Sequence, residues 1–325
     1  MDELALVLNA GSSSLKFALF APSARADWEV AARGELAGIG TAPRMSVRDA
    51  SGAAIAAASP TAPVGDARGA LEQVLEWLRA TYADARLLGV GHRVVHGGQR
   101  SDPAIVTPAL LRELRELVPL APLHQPHDLA AIEAVAQRQP GVPQVACFDT
   151  SFHHRQPAVA KVVPLPQEIR NDGVERYGFH GLSYEYIASV LPQVAPQIAR
   201  QRVIVAHLGS GASLCALRGG ESVDCTFGFT PLDGLCMATR PGALDPGVVL
   251  YLFQELGLSV REVEDILYRK SGLSGISGIS GDMRELLQSS EATARLAVDY
   301  FVYRAVKEIG ALAAVLSGLD ALVFT

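Results

Sequence analysis

A polar turn near the N-terminus combines the residue types that bind phosphate. The segment Asn9-Ala-Gly-Ser-Ser-Ser-Leu-Lys16 lies between two apolar runs, at 4–8 and 15–20. Runs of this length around a Gly/Ser break predict two buried strands joined by a tight turn. Successive N–H groups of such a turn concentrate positive potential, and hydroxyls and a lysine add donors for phosphate oxygens. The segment therefore predicts a phosphate site, with an ordinary hairpin and a solvated lysine as the alternative.

Further side chains suited to phosphate or carboxylate chemistry stand next to glycines. Arg93 lies in Gly91-His-Arg-Val-Val-His-Gly-Gly98, and Arg240 precedes a Pro-Gly pair. A guanidinium captures a carboxylate or a phosphate with two parallel hydrogen bonds. Asp149 follows an apolar run and could hold Mg²⁺ through oxygen, while His180 stands in a turn between glycines. Taken singly, each residue also has a structural interpretation: an ion pair, a loop cap or a hydrogen bond to buried backbone.

Several common catalytic motifs are missing. The sequence has no G-x-x-x-x-G-K-[ST] and no G-x-S-x-G, which excludes a P-loop protein and the usual serine hydrolase. Residues 209–214 begin like a dinucleotide-binding fingerprint, but they lack its third glycine and lead into a strand. His92 and His96 have the spacing of a zincin pair, yet Arg93 stands where the glutamate base belongs, which disfavours a zinc protease.

Length and composition limit the class of protein. At 325 residues the chain is longer than is usual for a single hydrophobic core, so two domains are expected. A content of 49% hydrophobic residues suits a well-buried α/β protein. With a net charge of −6 and no basic block, nothing in the sequence points to nucleic acid or an anionic membrane surface as a partner, and neither is expected. No signal peptide is recognisable, and no apolar run reaches the ~18 residues of a membrane span. We expect a soluble, cytoplasmic protein with a small-molecule partner.

Caps and hydrophobic periodicity predict the elements that would position these residues. Helices are expected at 70–78, after the Thr107-Pro108 cap, after Pro126, after a Ser183 cap, at Asp245-Pro246, at the capping box Ser259-x-x-Glu262, after Asp282 and over 292–317. Strand-like stretches are expected at 45–48, 53–57, 88–90, 203–206, 212–217 and 321–325, a buried strand at 144–148, and a Gly/Ser/Ile loop at 271–281.

A short internal repeat suggests a duplication. Residues 6–15 and 204–213 share an apolar strand, a polar residue, a small turn with Gly-Ser and a second apolar strand. A repeat near the start of each half predicts duplicated domains whose phosphate turns face each other across a cleft. The Pro-rich stretch 151–176 marks the boundary, so we expect one domain over 1–150 and a second over 151–325.

Eight segments together resemble, in order, the motifs of the acetate kinase family. They are Asn9-Ala-Gly-Ser-Ser-Ser-Leu-Lys16, Gly91-His-Arg-Val-Val-His-Gly-Gly98, Ala121-Pro-Leu-His124, Phe148-Asp-Thr150, Arg176-Tyr-Gly-Phe-His-Gly181, His207-Leu-Gly-Ser-Gly211, Thr230-Pro-Leu-Asp-Gly234 and Ser280-Gly-Asp-Met-Arg284. The resemblance runs from residue 4 to 325 and implies an α/β, actin-like ATPase fold with two ribonuclease-H-like domains around a cleft. It also implies a homodimer that makes acetyl phosphate and ADP from acetate and ATP, reversibly and with Mg²⁺, or with Mn²⁺ in its place.

The resemblance also implies a role for each matched residue. Asn9 and Asp149 would hold or orient Mg²⁺, and Asp149 is counted among the catalytic residues as well. Arg93 would bind the carboxylate, while His180 and Arg240 would stabilise the transition state. The residues that would bind ATP are Ser12, Ser14, Lys16, His207, Leu208, Gly209, Ser210, Gly211, Asp282, Met283 and Arg284. Those that would form the small apolar pocket for the methyl group are Val95, Leu123, Phe179 and Pro231.

The chain departs from the family pattern in two places. Ser210 stands where the family usually has Asn, which shortens a side chain near the phosphates. After Thr325 the family continues with a turn that cradles adenosine, so we expect a chain truncated at its C-terminal end. If Thr325 is the true C-terminus, activity should be severely reduced. The alternative functions are a propionate or other short-chain acyl kinase, and a truncated nucleotide-binding module without turnover.

Overall fold

The chain divides into two compact units, Met1–Ser151 and Phe152–Thr325. The computed structural model describes residues 3–11, 13–23, 27–58 and 64–325. Each unit contains a β-sheet with helices packed on it. Among the described helices, none combines the length and the apolar character needed to cross a bilayer.

The first unit is a mixed sheet covered by helices. Its strands are β1 (Glu3–Ala10), β2 (Ser14–Pro22), β3 (Trp28–Ala37), β4 (Arg44–Asp49), β5 (Ala54–Ala58), β6 (Arg86–Val94), β7 (Ala104–Ile105) and β8 (Gln144–Phe148). Its helices are α1 (Ala67–Thr81), α2 (Pro108–Glu116) and α3 (Gln125–Arg138). The described strands follow the order β5-β4-β3-β2-β1-β6-β8-β7, in which β1, β6 and β8 are parallel neighbours.

Side-chain periodicity explains why these segments fold as they do. In β1, Leu4, Leu6 and Leu8 are buried while Val7 is 41% exposed, as expected where alternate residues point to opposite faces of a sheet. Helix α1 begins at Asp66, whose side chain accepts a hydrogen bond from the N–H of Gly69. Its buried stripe packs with α3 against the leucines of β1 and β2, so that one face of the sheet forms the core.

The second unit has a smaller sheet and most of the helices. Its strands are β9 (Arg202–Leu208), β10 (Ala212–Arg218), β11 (Glu221–Cys225) and β12 (Ala321–Phe324). Its helices are α4 (Ala158–Lys161), α5 (Gln167–Asn171), α6 (Gly181–Val194), α7 (Pro246–Gln254), α8 (Val260–Asp265), α9 (Gly272–Ser277), α10 (Met283–Gln288) and α11 (Ala292–Val315), with a π-helical segment at Ile266–Lys270. The described strands follow the order β11-β10-β9-β12, and β12 lies parallel to β9.

The predicted repeat is confirmed as a pair of antiparallel hairpins. β1 pairs with β2 in the first unit, and β9 pairs with β10 in the second. The caps predicted at Thr107, Asp245, Ser259 and Asp282 are also present, the third as a full capping box. The zincin interpretation fails here as well, because β6 carries His92 and His96 follows that strand, whereas a zincin needs both on one helix.

Two predicted element boundaries are wrong. Ser183 does not cap a helix, since α6 begins at Gly181 after a left-handed His180, and the Ser183 side chain contacts His207 instead. The predicted loop at 271–281 contains the helix α9. The N–H groups of Leu273 and Ser274 in its first turn donate to Met237 O and Ala238 O over 2.9 Å, so distant backbone stabilises a Gly/Ser-rich helix.

Candidate active site

In the first unit, three predicted site residues meet where parallel strands end. Asn9 is near the end of β1, Arg93 is near the end of β6, and Asp149 follows β8 directly. Because β1, β6 and β8 are parallel neighbours, their carboxyl ends share one edge of the sheet. Open α/β sheets bind ligands at this edge.

Arg93 joins the other two residues through its guanidinium. Its Nε donates to both carboxylate oxygens of Asp149, over 3.2 and 3.1 Å, and one terminal nitrogen donates to Oδ2 over 2.5 Å. The other terminal nitrogen donates to Oδ1 of Asn9 over 3.0 Å. Asp149 is buried, whereas the Arg93 side chain is 27% exposed. The buried carboxylate therefore fixes a cation that still reaches solvent.

Electrostatics keep this guanidinium charged. Burial alone would lower the pKa of Arg93, but the charge and the hydrogen bonds of Asp149 raise it above its ordinary value. A permanently charged, oriented guanidinium matches the geometry of a carboxylate or a phosphate.

The segment after β6 is held by side chains of α3 and by Thr150, which follows β8. The N–H of Val95 donates to Oδ2 of Asp128 over 3.0 Å, and the N–H of His96 donates to Oε1 of Gln125 over the same distance. The N–H of Gly97 donates to the hydroxyl of Thr150 over 3.1 Å. Val95, which the family resemblance places in the substrate pocket, is therefore fixed by a buried acid.

The phosphate turn is described only in part. Ser12, one of its predicted ligands, lies outside the described residues. Ser14 begins β2, and its carbonyl accepts a hydrogen bond from the N–H of Gly11 over 2.8 Å. Lys16 is exposed and lies directly opposite Asn9 in the hairpin, so the two side chains share one face of the sheet. The predicted ammonium thus lies on the same side as the Asn9 amide that binds Arg93.

In the second unit, His180 is held in an unusual backbone conformation. It has φ 59° and ψ 19°, in the left-handed region that residues other than glycine rarely adopt. Its Nδ1 lies 2.8 Å from the hydroxyl oxygen of Ser213, which in turn lies 2.5 Å from the hydroxyl of Tyr184. Burial raises the pKa of Tyr184, so its hydroxyl keeps its proton. This chain of hydroxyls orients the imidazole ring.

Gly211 brings Arg240 and His180 to one point. A Cβ atom at Gly211 would lie 2.8 Å from a terminal nitrogen of Arg240 and 3.2 Å from Nε2 of His180. Arg240 is anchored by its other terminal nitrogen, which donates to Pro231 O over 2.8 Å. A Cβ would press on the ends of both side chains, so the backbone of the β9–β10 turn lies close to the two donors.

The rest of the predicted ATP turn surrounds this point. Nδ1 of His207 lies 2.9 Å from the hydroxyl oxygen of Ser183, and its ring lies 4.2 Å from that of His180 between centroids. The exposed residues of the turn are Leu208, Gly209 and Ser210. The carbonyl of Ser210 accepts a hydrogen bond from the N–H of Ala238 over 3.1 Å.

The predicted nucleotide residues 282–284 open helix α10. Asp282 caps that helix and forms an exposed ion pair with Arg284, with 2.6 Å between the charged atoms. The pair lowers the pKa of Asp282 to about 2. Met283 packs against the apolar cluster under α9 and α11. A Cβ at the preceding Gly281 would lie 2.7 Å from Ala238 O, which links this helix end to the residue that binds the 207–211 turn.

The predicted pocket residues belong to both units. In the first, Val95 is buried and Leu123 is half-buried just before α3. In the second, Phe179 is buried edge-on against Phe227, with 5.8 Å between ring centroids. Pro231 supplies the carbonyl that anchors Arg240.

The donor set of the first unit fits a nucleotide-bound magnesium ion. Asn9 and Asp149 present hard oxygen atoms to the same guanidinium. Within the described residues there is no cluster of three or more His, Cys, Asp or Glu side chains that could hold a metal by themselves. Mg²⁺ is usually held by one or two protein oxygens together with phosphate oxygens and water, so the pair suffices when phosphates supply the rest.

Sequence reasoning missed the residues that orient the site. Asp128 and Gln125 hold the segment after β6, and Ser213 and Tyr184 hold His180. A usable signal existed for Tyr184, which lies only four residues after His180, in the first turn of α6. For Asp128, an acid in the first helical turn is typical of solvent exposure, and only packing buries it.

Comparisons with known proteins identify the family of the chain. The model of the Acetokinase family matches residues 4–325. The acetate kinase of Rhodopseudomonas palustris (strain ATCC BAA-98 / CGA009) is 51% identical over 329 residues, which cover 100% of this chain and 82% of that protein. The acetate kinase of Nitrobacter hamburgensis is 51% identical over 327 residues, which cover 100% of this chain and 80% of that protein.

Two solved structures are similar throughout. The crystal structure of Porphyromonas gingivalis acetate kinase has a TM-score of 0.82 at 34% identity, over 98% of this chain and 82% of that one. A propionate kinase from Francisella tularensis has a TM-score of 0.88 at 34% identity, with the same two coverages.

Proposed function

The chain belongs to the acetokinase family, and we infer from this that it is a kinase that transfers the γ-phosphoryl group of ATP to the carboxylate of acetate. The products are acetyl phosphate and ADP, and the reaction is reversible. The fold is that of the actin-like ATPases, which the similar solved kinases share.

The observation that carries this proposal is the pair of donors at Gly211. A terminal nitrogen of Arg240 and Nε2 of His180 both lie within 3.2 Å of the position that a side chain at residue 211 would fill. Two donors aimed at one small space suit the equatorial oxygens of a phosphoryl group during transfer. Arg93, with its charge fixed by Asp149, suits the carboxylate of acetate.

The chemistry needs positioning more than it needs a base. One carboxylate oxygen of acetate attacks the γ-phosphorus in line, and the bond from that phosphorus to the β–γ bridging oxygen breaks as ADP leaves. A carboxylate is already a nucleophile, so no proton has to be removed. We therefore assign to Asp149 the orientation of Arg93 and a share in binding Mg²⁺, rather than acid–base catalysis.

Magnesium would be bound by Asn9 and Asp149 together with the phosphates. The ion neutralises charge on the β- and γ-phosphate oxygens when it is bound. In the first unit, Lys16 and Ser14 would hold phosphates through an ammonium and a hydroxyl, and in the second unit the 207–211 turn would hold phosphates through backbone N–H groups.

A short-chain acyl kinase with propionate as its substrate is the second candidate. It is favoured by the similarity to the Francisella tularensis propionate kinase, whose TM-score is 0.88. The proposed methyl contacts, Val95 and Leu123 in the first unit and Phe179 and Pro231 in the second, would distinguish acetate from propionate only weakly, because one methylene is worth about 1–3 kcal/mol. Values of kcat/KM for acetate, propionate and butyrate decide between the two: the proposal expects acetate to rank first.

We also propose that the protein forms a homodimer. We place it in the cytoplasm, where ATP, its phosphoryl donor, is available. Exposed apolar side chains along α11 support an interface with a second copy: Leu296, Val302, Tyr303 and Val306 are 53–67% exposed. Sedimentation equilibrium tests the dimer.

The reaction is tested by trapping its product. Acetate, ATP, Mg²⁺ and hydroxylamine should yield acetyl hydroxamate with the purified full-length gene product. Arg240→Ala should lower the rate by roughly 10²–10³-fold, since one donor to the transition state is lost. Arg112→Ala, which removes an exposed arginine of α2, is the matched control and should leave the rate unchanged. Absence of hydroxamate above the Arg240→Ala background would reject the proposal.

A further inference from the structure

Beyond β6 the backbone leaves the sheet and is hydrogen-bonded instead by side chains in the first turn of α3. The last strand pair on this side is Val94 with Phe148. After it, the N–H of Val95 donates to Asp128, and both the N–H and the carbonyl of His96 bond to the Gln125 amide over 3.0 Å. Asp128 and Gln125 lie in the first turn of α3, so that turn determines where Val95 stands relative to Arg93, two residues earlier.

Asp128 is an unusual residue for this task. It is 1% exposed, and its Oδ1 has no hydrogen-bond partner within the described residues. Burial raises its pKa to about 8, although the charge of Arg93 and the N–H of Val95 act in the opposite direction. At neutral pH the acid is therefore mostly protonated.

Protonation of Asp128 matters for the charge of the site. Arg93 and Asp149 already form one ion pair, with 2.5 Å between the closest charged atoms. A second ionised carboxylate nearby would give this cluster a net negative charge where an anionic substrate is expected. As a neutral acid, Asp128 holds the backbone without adding that charge.

We propose that Asp128 is a positioning residue for the acetate pocket: by holding the N–H of Val95, it fixes the pocket wall against the guanidinium of Arg93 and so sets the affinity for acetate. The inference rests on the proposed function, because it takes Val95 and Arg93 as the acetate contacts. The residues assigned to ATP are a different set. Loss of the Val95 hydrogen bond should therefore affect acetate and leave ATP alone.

The experiment compares three substitutions at one position. Asp128→Asn keeps an acceptor for Val95 and matches the neutral acid in shape, while Asp128→Ala removes the acceptor. Asp128→Leu also removes the acceptor but fills the volume of the side chain. Comparing it with Asp128→Ala therefore distinguishes the effect of a cavity from the effect of a lost hydrogen bond. Asp84→Ala removes an exposed carboxylate of the same unit and is the matched control. Circular dichroism reports the fold of each variant.

The expected result is a split between the two substrates. In Asp128→Ala and Asp128→Leu, KM for acetate should rise about tenfold, the range expected when a buried N–H loses its acceptor, while KM for ATP and kcat change less than about threefold. Asp128→Asn should restore KM for acetate, and Asp84→Ala should not change it.

Three outcomes would overturn the inference. The first is that the apolar variants raise both KM values equally, and the second is that Asp128→Asn behaves like Asp128→Ala. The third is that both apolar variants unfold at the assay temperature, since Asp128 would then be required for folding. An unaltered chain without turnover would instead reject the proposed function, and this inference with it.

Discussion

The missing side chain of Gly211 determines how closely Arg240 and His180 approach the backbone of the β9–β10 turn. The φ angle of Gly211 is not in the left-handed region, so an alanine would be tolerated by the backbone and would act only through its Cβ. That atom would lie 2.8 Å from Arg240 and 3.2 Å from His180, closer than normal contact.

We therefore expect Gly211→Ala to impair catalysis while the fold survives. Displacing two donors by a few tenths of an ångström or more should lower kcat about tenfold to a hundredfold, because catalytic geometry is sensitive on that scale. Steady-state kinetics and a thermal melt measure the two effects. Gly310→Ala, where a Cβ meets no atom within 4 Å, is the control. An unchanged kcat in Gly211→Ala would contradict the arrangement described.

The acid Asp128 predicts a pH dependence of stability. Its pKa rises from 3.8 to about 8 on folding, so the folded chain holds a proton that the unfolded chain has lost. Stability from this group is then fully present below pH 3.8 and decreases as the pH rises towards 8. The charged groups that act on Asp128 are Arg93 and Asp149, and nearby His96 is neutral because burial lowers its pKa to about 4.

Asp128→Asn removes the titrating carboxyl group, so the difference in stability between this variant and the unaltered chain should show the contribution of that group. The melting temperature of the variant relative to the unaltered chain should increase from pH 4 to pH 8 and stay level above that. Thermal melts in a series of buffers measure the difference. A difference that is constant across this range would contradict a raised pKa.

At the scale of elements, the start of α6 illustrates strain at a functional position. His180 occupies a left-handed conformation that costs a non-glycine residue about 1–2 kcal/mol. The ring is held there by Ser213 and by an edge-on contact with Phe227, with 5.0 Å between centroids. The fold thus keeps a strained residue where its imidazole lies close to the backbone of Gly211.

A pair of substitutions at His180 distinguishes the backbone strain at this position from the catalytic contribution of its imidazole. His180→Gly and His180→Ala both remove the imidazole, so each should lower kcat by about 10²–10³-fold. They differ in the backbone penalty, and the glycine variant should be more stable than the alanine variant by about 1 kcal/mol. Urea denaturation measures this free-energy difference. Equal stabilities would show that the left-handed backbone stores no strain.

Most elements could be predicted because their signals are local. The Thr107-Pro108 and Ser259 caps, the two Gly/Ser hairpins and the apolar run 144–148 each contain the residues that stabilise them. The misses had non-local causes. Helix α9 depends on carbonyls of Met237 and Ala238, and α6 begins after His180, whose ring is held by the distant Ser213 and Phe227. Neither cause can be read from neighbouring residues.

At the scale of the whole molecule, the site residues could be grouped only through the family resemblance. Asn9, Arg93 and Asp149 come from three strands whose order in the sheet is not encoded in any one of them. Gly211 and Arg240 lie in separate loops of the second unit. The resemblance suggested their roles, whereas the burial of Asp128 required the packed structure.

Ligands that bind the folded chain should stabilise it as a whole. At a Mg·ATP concentration a hundredfold above its Kd, the gain is about 2.7 kcal/mol, which raises the melting temperature. Because Asn9 and Asp149 are proposed to hold the ion, EDTA should remove most of the shift caused by ATP. Differential scanning fluorimetry with ATP, with and without Mg²⁺, measures this, and AMP serves as the control nucleotide. If EDTA left the ATP-induced increase in melting temperature unchanged, the proposed role of Asn9 and Asp149 in binding the metal would be contradicted.

Arg93 takes one hydrogen-bond acceptor from 84 positions before it and another from 56 positions after it. No contiguous peptide shorter than the stretch from Asn9 to Asp149 can contain all three groups. Two separately produced halves of the chain, together covering both units and divided anywhere between those positions, would each lack part of the cluster. Turnover recovered on mixing them would therefore report that the halves had reassociated, which makes this sheet a natural scaffold for a split-enzyme reporter.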